Sequence, residues 1–207
     1  MRPPDWIFVV GCLSLFGLIV SLIVSIARPR ARLWPSGGAG WKLAWMWGCT
    51  VVATGAGLVL AIVDYGSGPL DHPAWILAGA ALVALGAGLA DWGVRTLGRR
   101  TSAGLGSRFS TAGPYRWTRN PQYLGDILMA VGIVVVSDSW RVALLGAGGV
   151  VCLLLAPLAE EKWLIERYGD AYEGYRRRVP RLLGRRASDA EHPGCRSRNP
   201  ARDSAPS

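Results

Sequence analysis

Gly113-Pro114-Tyr115-Arg116-Trp117-Thr118-Arg119-Asn120-Pro121-Gln122-Tyr123 sets two arginines and two tyrosines in a tight turn, and Glu160-Glu161 follows later in the chain at the end of an apolar run. Charged groups where a polar loop re-enters an apolar helix are costly unless something pairs with them. Arg116 or Arg119 could clamp a carboxylate through a charge-assisted fork, and Glu160 or Glu161 could accept from an ammonium or a hydroxyl. Asn120 fits a helix N-cap and Pro121 the first helical position, so the helix through Tyr123 would aim free backbone N–H groups at a polar ligand. Tyr115 or Trp117 could pack on a flat ring, and Gly113 would let the backbone come close. Adjacent residues on a helix point about 100° apart, so one of the two glutamates faces the ligand, and the sequence leaves open which. The stretch therefore suits an anionic or zwitterionic ligand.

The elements that must position these groups are membrane helices. Of 207 residues 51% are hydrophobic and 18% charged, with a mean hydropathy of +0.26, too apolar for an ordinary soluble domain. The net charge of +9 does not indicate a nucleic-acid binder, because the basic residues lie between apolar runs instead of forming one soluble face. Cys12, Cys49 and Cys152 fall inside those runs and Cys195 in the tail, with no metal-ligand or CxxC spacing, so neither zinc nor disulfides are expected.

Trp6 to Ile26 is uncharged and about 31 Å long as a helix, enough to cross a bilayer. No small-residue cleavage site follows, so it reads as a permanent helix. A basic loop with Arg28, Arg30, Arg32 and Lys42 leads to a second apolar run, Leu43 to Val63, and a Gly/Pro-rich acidic turn to a third, Ala74 to Leu89 or a little beyond. In the third, Ala80, Ala84 and Gly88 recur at four-residue spacing, the pattern of close helix packing. An exposed, partly irregular loop with Arg99 and Arg100 precedes the central turn. Pro121 to Val136 is then a short apolar helix of about 24 Å, and Trp140 to Leu158 returns, so this pair could be tilted or partly re-entrant. Glu160-Glu161 should continue the last helix to Tyr168 with Gly169 as C-cap, and Asp170 with Glu173 looks like a capping-box variant opening a short helix to Val179.

All Lys and Arg except Arg2 and Arg141 fall on one side of this alternation, while Asp5, Asp64, Asp71 and Asp138 fall on the other. Five crossings with the N-terminus outside and the C-terminus cytoplasmic satisfy the preference of positive charge for the cytoplasm, and place both halves of the site there. The fold expected is an all-α, multi-pass transmembrane bundle of about five helices with a short cytoplasmic C-terminal helix. Residues 1–94 would be the anchor, 95–183 the catalytic half, and 184–207 a disordered basic tail. The run Arg176-Arg177-Arg178 would favour anionic headgroups among the membrane lipids.

Gly113-Pro114-Tyr115, Arg119-Asn120-Pro121-Gln122-Tyr123 with Gly125, Glu160-Glu161, and the ending Tyr168-Gly169 through Pro180-Arg181 together resemble the isoprenylcysteine carboxyl methyltransferase and phospholipid methyltransferase family. The resemblance covers about Gly104 to Leu183, and the ordered set of motifs is its specific part. It implies a multi-pass membrane enzyme using S-adenosylmethionine, with a lipidic or lipidated acceptor entering laterally between the third and fourth helices. Arg119, Glu160 and Glu161 would be catalytic, and Gly113, Pro114, Tyr115, Arg116, Arg119, Asn120, Pro121, Tyr123, Glu160 and Glu161 would bind the cofactor. Asn120 stands where the family often has histidine, and asparagine cannot take up a proton.

Asp126, one turn after Tyr123, would serve the site or pair with Arg119. No histidine lies between His72 and His192, so the local bases are carboxylates and tyrosines, a poor set for deprotonating an ammonium. A carboxylate acceptor, which arrives ionised, is favoured over a lipid amine. A nicotinamide-dependent membrane reductase resembling the C-terminal part of steroid reductases, or a scaffold without activity, are the competing readings. No metal and no nucleic acid enters any of them.

Overall fold

The computed structural model describes residues 3–70, 73–105 and 109–183, so Arg108, His72 and the tail from Gly184 lie outside the described residues. Within that range it is all helical: α1 (Pro3–Ala27), α2 (Trp41–Val63), α3 (Pro73–Leu97), a short α4 (Arg99–Ser102), α5 (Pro121–Ser137), α6 (Trp140–Tyr168) and α7 (Asp170–Arg178), with 3-10 turns at Pro29–Ala31 and Gly113–Arg116. Four of these, α1, α2, α3 and α6, are long and apolar enough to cross a membrane. Phe16, Ile62 and Leu77 are 67, 78 and 73% exposed, a surface suited to lipid and not to water.

The two ends of the bundle have different chemistry. At one, the Arg141 guanidinium lies 2.8 Å from Asp64 and 3.1 Å from Asp5, and Ser139 donates to Asp64 at 2.5 Å. The starts of α1 and α6 and the end of α2 therefore meet there. The α2–α3 turn joins them, because Gly66 N–H donates to Ser137 O at 3.0 Å and Leu70 N–H to Asp138 Oδ2 at 2.8 Å. Since α5 begins at the opposite end and finishes at Ser137, its 17 residues connect the same two ends of the bundle as the longer helices. Exposed Trp6, Trp75 and Trp140 mark this end, and exposed Trp41, Trp45, Trp47 and Trp92 lie toward the other, as amphipathic rings do at a membrane interface.

The closest packing is between α3 and α5. Gly79, Gly86 and Gly93 are buried at seven-residue intervals and meet Gly125, Gly132 and the start of α5. A Cβ on Gly86 would sit 2.5 Å from Gly125 O, and one on Gly132 would sit 2.6 Å from Gly79 O. Two expectations are corrected here. Ala80, Ala84 and Gly88 are exposed, and a Cβ on Gly88 would meet nothing within 4 Å, so the small-residue row that packs is the neighbouring one. The third and fourth apolar segments, α3 and α5, touch backbone to backbone, so this seam offers a lipid no lateral opening.

α3 also runs past Leu89 to Leu97, helped by the Asp91–Arg95 ion pair of 2.8 Å one turn apart. Gly169, at φ +50, caps α6 as its spacing suggested, and it is also the N-cap of α7. Asp170 is therefore inside α7 and does not form a capping box.

Candidate functional site

Opposite the Arg141 end, α5, α6, α7 and the Gly113–Arg116 turn surround a cleft of about 730 Å³, its open mouth included. Tyr115, Arg119, Asn120, Tyr123 and Glu160 line it. Arg119 is held at the base. Its backbone N–H donates to Pro180 O at 2.9 Å, and its Nη1 lies 2.6 Å from Glu161 Oε1, with side-chain exposures of 2 and 10%. Arg181 grips the same carboxylate, Nη2 to Oε2 at 2.7 Å and Nε to Oε1 at 3.0 Å. Two guanidinium groups against one carboxylate leave a positive charge at this pole. Nε and Nη1 of Arg119 are buried, and among the described residues neither meets the geometry of a hydrogen bond, Nη1 being ion-paired to Glu161. A buried charge is costly unless it is paired, and Glu161 supplies the pairing that holds Arg119 at the cleft.

The two glutamates separate as their helical offset requires. Glu161 is buried behind the cleft with Arg119 and Arg181, while Glu160 lines it. Glu160 Oε1 accepts from Tyr123 Oη and from Trp34 Nε1, the latter at 2.7 Å. No described residue donates to Oε2. The cleft thus has a cationic pole at Arg119 and an anionic pole at Glu160, whose Oε2 has no donor among the described residues.

Aromatic rings form the remaining wall. Phe109 meets Tyr168 and Tyr172 edge-on at 4.6 and 5.8 Å between centroids, and Tyr172 meets Tyr175 at 6.0 Å. Tyr175 Oη donates to Tyr115 O at 2.8 Å, tying α7 to the central turn. Burial, and after it the charge of Glu160, pushes the Tyr115 phenol above its ordinary range. Burial and then Glu161 do the same to Tyr172, and burial and then Tyr172 to Tyr175. All three phenols are neutral near neutral pH. The hydrogen bond to Glu161 raises Arg181 further, so it stays a cation.

The other sequence candidates are placed as follows. Gly113, at φ +55, abuts Thr96 Oγ1 and Trp92 Nε1 of α3, where a Cβ would come within 2.9 and 3.2 Å, so it seats the turn on α3. Pro114 and Pro121 are fully buried and shape the backbone. Asn120 is the residue before α5, but its side chain makes no cap; Nδ2 donates instead to Arg181 O at 3.0 Å. Arg116 and Trp117 are exposed and outside the lining, Trp117 lying edge-on to Trp92. Asp126 does not pair with Arg119, whose partner is Glu161, and among the described residues it has no ion pair or hydrogen bond.

Trp34, Gln122 and Arg181 enter the site without having been chosen from the sequence. Gln122 Nε2 donates to Ser102 Oγ at 2.6 Å and to Tyr115 Oη at 3.2 Å, and its place inside the motif was a signal. Arg181 stood in the basic ending. Trp34 had no local signal, since its partner is 126 residues away.

Comparison with known proteins adds an independent finding. The phospholipid methyltransferase family matches residues 74–171, from α3 to the start of α7 and including Arg119, Glu160 and Glu161. The chain is also 30% identical over 109 residues to steroid 5-alpha-reductase DET2 of Solanum lycopersicum, a match covering 51% of this chain and 42% of that protein. The chain thus spans less than half the length of this curated relative. No solved structure matches to a significant degree.

Proposed function

We propose, from the match of residues 74–171 to the phospholipid methyltransferases, that this integral membrane protein transfers the methyl group of S-adenosylmethionine to a lipidic or lipidated acceptor. The observation that carries this reading is the pairing of poles in one cleft: the Arg119 guanidinium and the Glu160 carboxylate both line it, and no described residue donates to Glu160 Oε2. The amino-acid end of S-adenosylmethionine is a zwitterion that fits such a pair. Arg119 would hold its carboxylate, Glu160 its ammonium or a ribose hydroxyl, and the rings of Tyr115, Phe109 and Tyr172 its adenine. When bound, the cofactor supplies a methyl group on a sulfonium, open to in-line displacement.

The chain's own part is positioning and exclusion of water. Arg181 and Glu161 fix Arg119 from behind, and Trp34 with Tyr123 fixes Glu160 from the side. Glu161 is held by two guanidinium groups, and Glu160 would be taken up by the ammonium, so neither would be left to act as a base. This supports an acceptor that arrives ionised, such as a carboxylate. Asp126, one turn beyond Tyr123, is the nearby carboxylate without a partner among the described residues. A basic limb in the rate profile that disappears in Asp126→Asn would redirect the reading to a lipid amine. The distribution of arginines supports a cytoplasmic cleft with the N-terminus outside.

The steroid reductase similarity supports a second reading, a nicotinamide-dependent reductase using the same cleft. Calorimetric titration of detergent-purified protein with S-adenosylhomocysteine and with NADPH decides between them. Binding of the first alone supports the methyltransferase, binding of the second alone the reductase, and binding of neither overturns both.

A further inference from the structure

Trp34 lies in the connection between α1 and α2, outside the 74–171 segment that matches the family, in a loop whose sequence reads only as basic. Its position is tightly specified. Ser25 Oγ, near the end of α1, accepts from Leu33 N–H at 2.9 Å and from Trp34 N–H at 3.1 Å, which turns the chain back onto the bundle. The indole is 9% exposed, and its ring edge lies so near Gly104 that a Cβ there would come within 2.8 Å of it. Lys162 Nζ donates to Ile26 O at 2.7 Å, strapping the end of α1 to the turn of α6 that carries Glu160. Arg32 lies 5.7 Å above the Trp163 ring and adds a second tie.

These contacts deliver one chemical result at Glu160. The indole N–H and the Tyr123 hydroxyl converge on the same oxygen, Oε1. A carboxylate held through one oxygen by two donors from different directions cannot swing about its terminal torsion, so Oε2 is presented to the cleft in one orientation. Of the two donors, Tyr123 comes from the matched segment and Trp34 from the N-terminal half.

We propose that Trp34 is a positioning residue of the cofactor site: it orients Glu160 so that the free carboxylate oxygen receives the ammonium of the ligand's amino-acid end. The N-terminal helices are then part of the enzyme's site and not an anchor alone. This assignment rests on the methyltransferase reading.

The test compares two ligands on the full detergent-purified chain. S-adenosylhomocysteine carries the amino-acid end, and 5′-methylthioadenosine has the same nucleoside and sulfur without it. Trp34→Phe should weaken the first by about tenfold, the scale of one charge-assisted hydrogen bond, and leave the second unchanged. Glu160→Gln should show the same pattern, and the double variant should lose no more than the worse single one. Replacement of Trp34 by its benzothienyl isostere, which keeps the shape and removes only the N–H, gives the same comparison if Trp34→Phe does not fold. Equal losses for both ligands would show Trp34 to be wall packing and overturn the proposal, as would unchanged binding of S-adenosylhomocysteine. Wild-type protein that binds neither ligand would overturn the methyltransferase reading itself, and this assignment with it.

Discussion

Arg119 and Glu161 are 2.6 Å apart at the base of the cleft, and Arg181 takes both oxygens of the same carboxylate, so two cations share one counter-ion. The three side chains together keep a net positive charge beside the cleft.

Arg119→Ala should therefore weaken S-adenosylhomocysteine binding by about 1.5–3 kcal/mol, the worth of a charge-assisted hydrogen bond in a desolvated site. Titration calorimetry measures it directly. A well-folded Arg119→Ala protein with wild-type affinity would remove the cofactor assignment.

The two glutamates should respond differently to the same change. Glu161→Gln leaves the buried Arg119 without its counter-ion, and breaking such a pair costs about 3–5 kcal/mol, so thermal stability in detergent should fall sharply. Glu160→Gln leaves that network whole and should lose ligand affinity with a much smaller change in stability. Melting curves and ligand titrations on both variants check the split; equal melting temperatures would contradict it.

At the α3–α5 seam, Gly86→Ala places a methyl group 2.5 Å from Gly125 O and should destabilise by about 1–3 kcal/mol or more as the backbones separate. Gly88→Ala, with open space around it, should be neutral or slightly stabilising. Melting temperatures of the two single variants test which row of small residues packs.

The segment after α7 closes over the central turn: Pro180 O accepts from Arg119 N–H, and Arg181 O accepts from Thr118 Oγ1 and Asn120 Nδ2. A chain stopped after Arg178 should still insert, but should lose S-adenosylhomocysteine binding, whereas one stopped after Leu183 should keep both. Membrane fractionation and calorimetry of the two truncations separate insertion from binding.

Tyr115, Tyr172 and Tyr175 hold their protons more tightly folded than unfolded, because burial disfavours the phenolate. The stability they contribute is fully present below the ordinary tyrosine range and is lost as pH climbs above about 10, where the unfolded chain ionises first. Thermal melts across that range, followed alongside tyrosinate absorbance, should show stability falling while these phenols remain protonated. Normal titration of all tyrosines in the folded protein would exclude it.

Much of this arrangement was legible from residue types. Apolar runs marked the four long helices, and Pro121 marked the start of α5 because proline needs no N–H there. Arg119 and the glutamate pair stood out because charges are costly where a loop re-enters an apolar helix. Which glutamate lines the cleft was not legible, since that depends on the rotation of α6. The packing row was missed for a related reason: Ala80, Ala84 and Gly88 form one row of small residues on α3 and Gly79, Gly86 and Gly93 another, and only the matching Gly125 and Gly132 on the partner select between them. Trp34 meets Glu160 through tertiary folding, which no local pattern encodes.

Arg141 sits at the start of α6, at the end of the bundle where almost no other positive charge is found, and its partners Asp5 and Asp64 belong to α1 and α2. During biosynthesis those partners emerge long before it. With the N-terminus outside, as proposed, the last helix carries a charge that is expensive to move through a bilayer and that is neutralised by helices already inserted. Assembly acquires an order from this: the α1–α2 pair acts as an acceptor for the α5–α6 hairpin, and an α5–α6 fragment made alone should integrate less efficiently than one supplied with the first two helices.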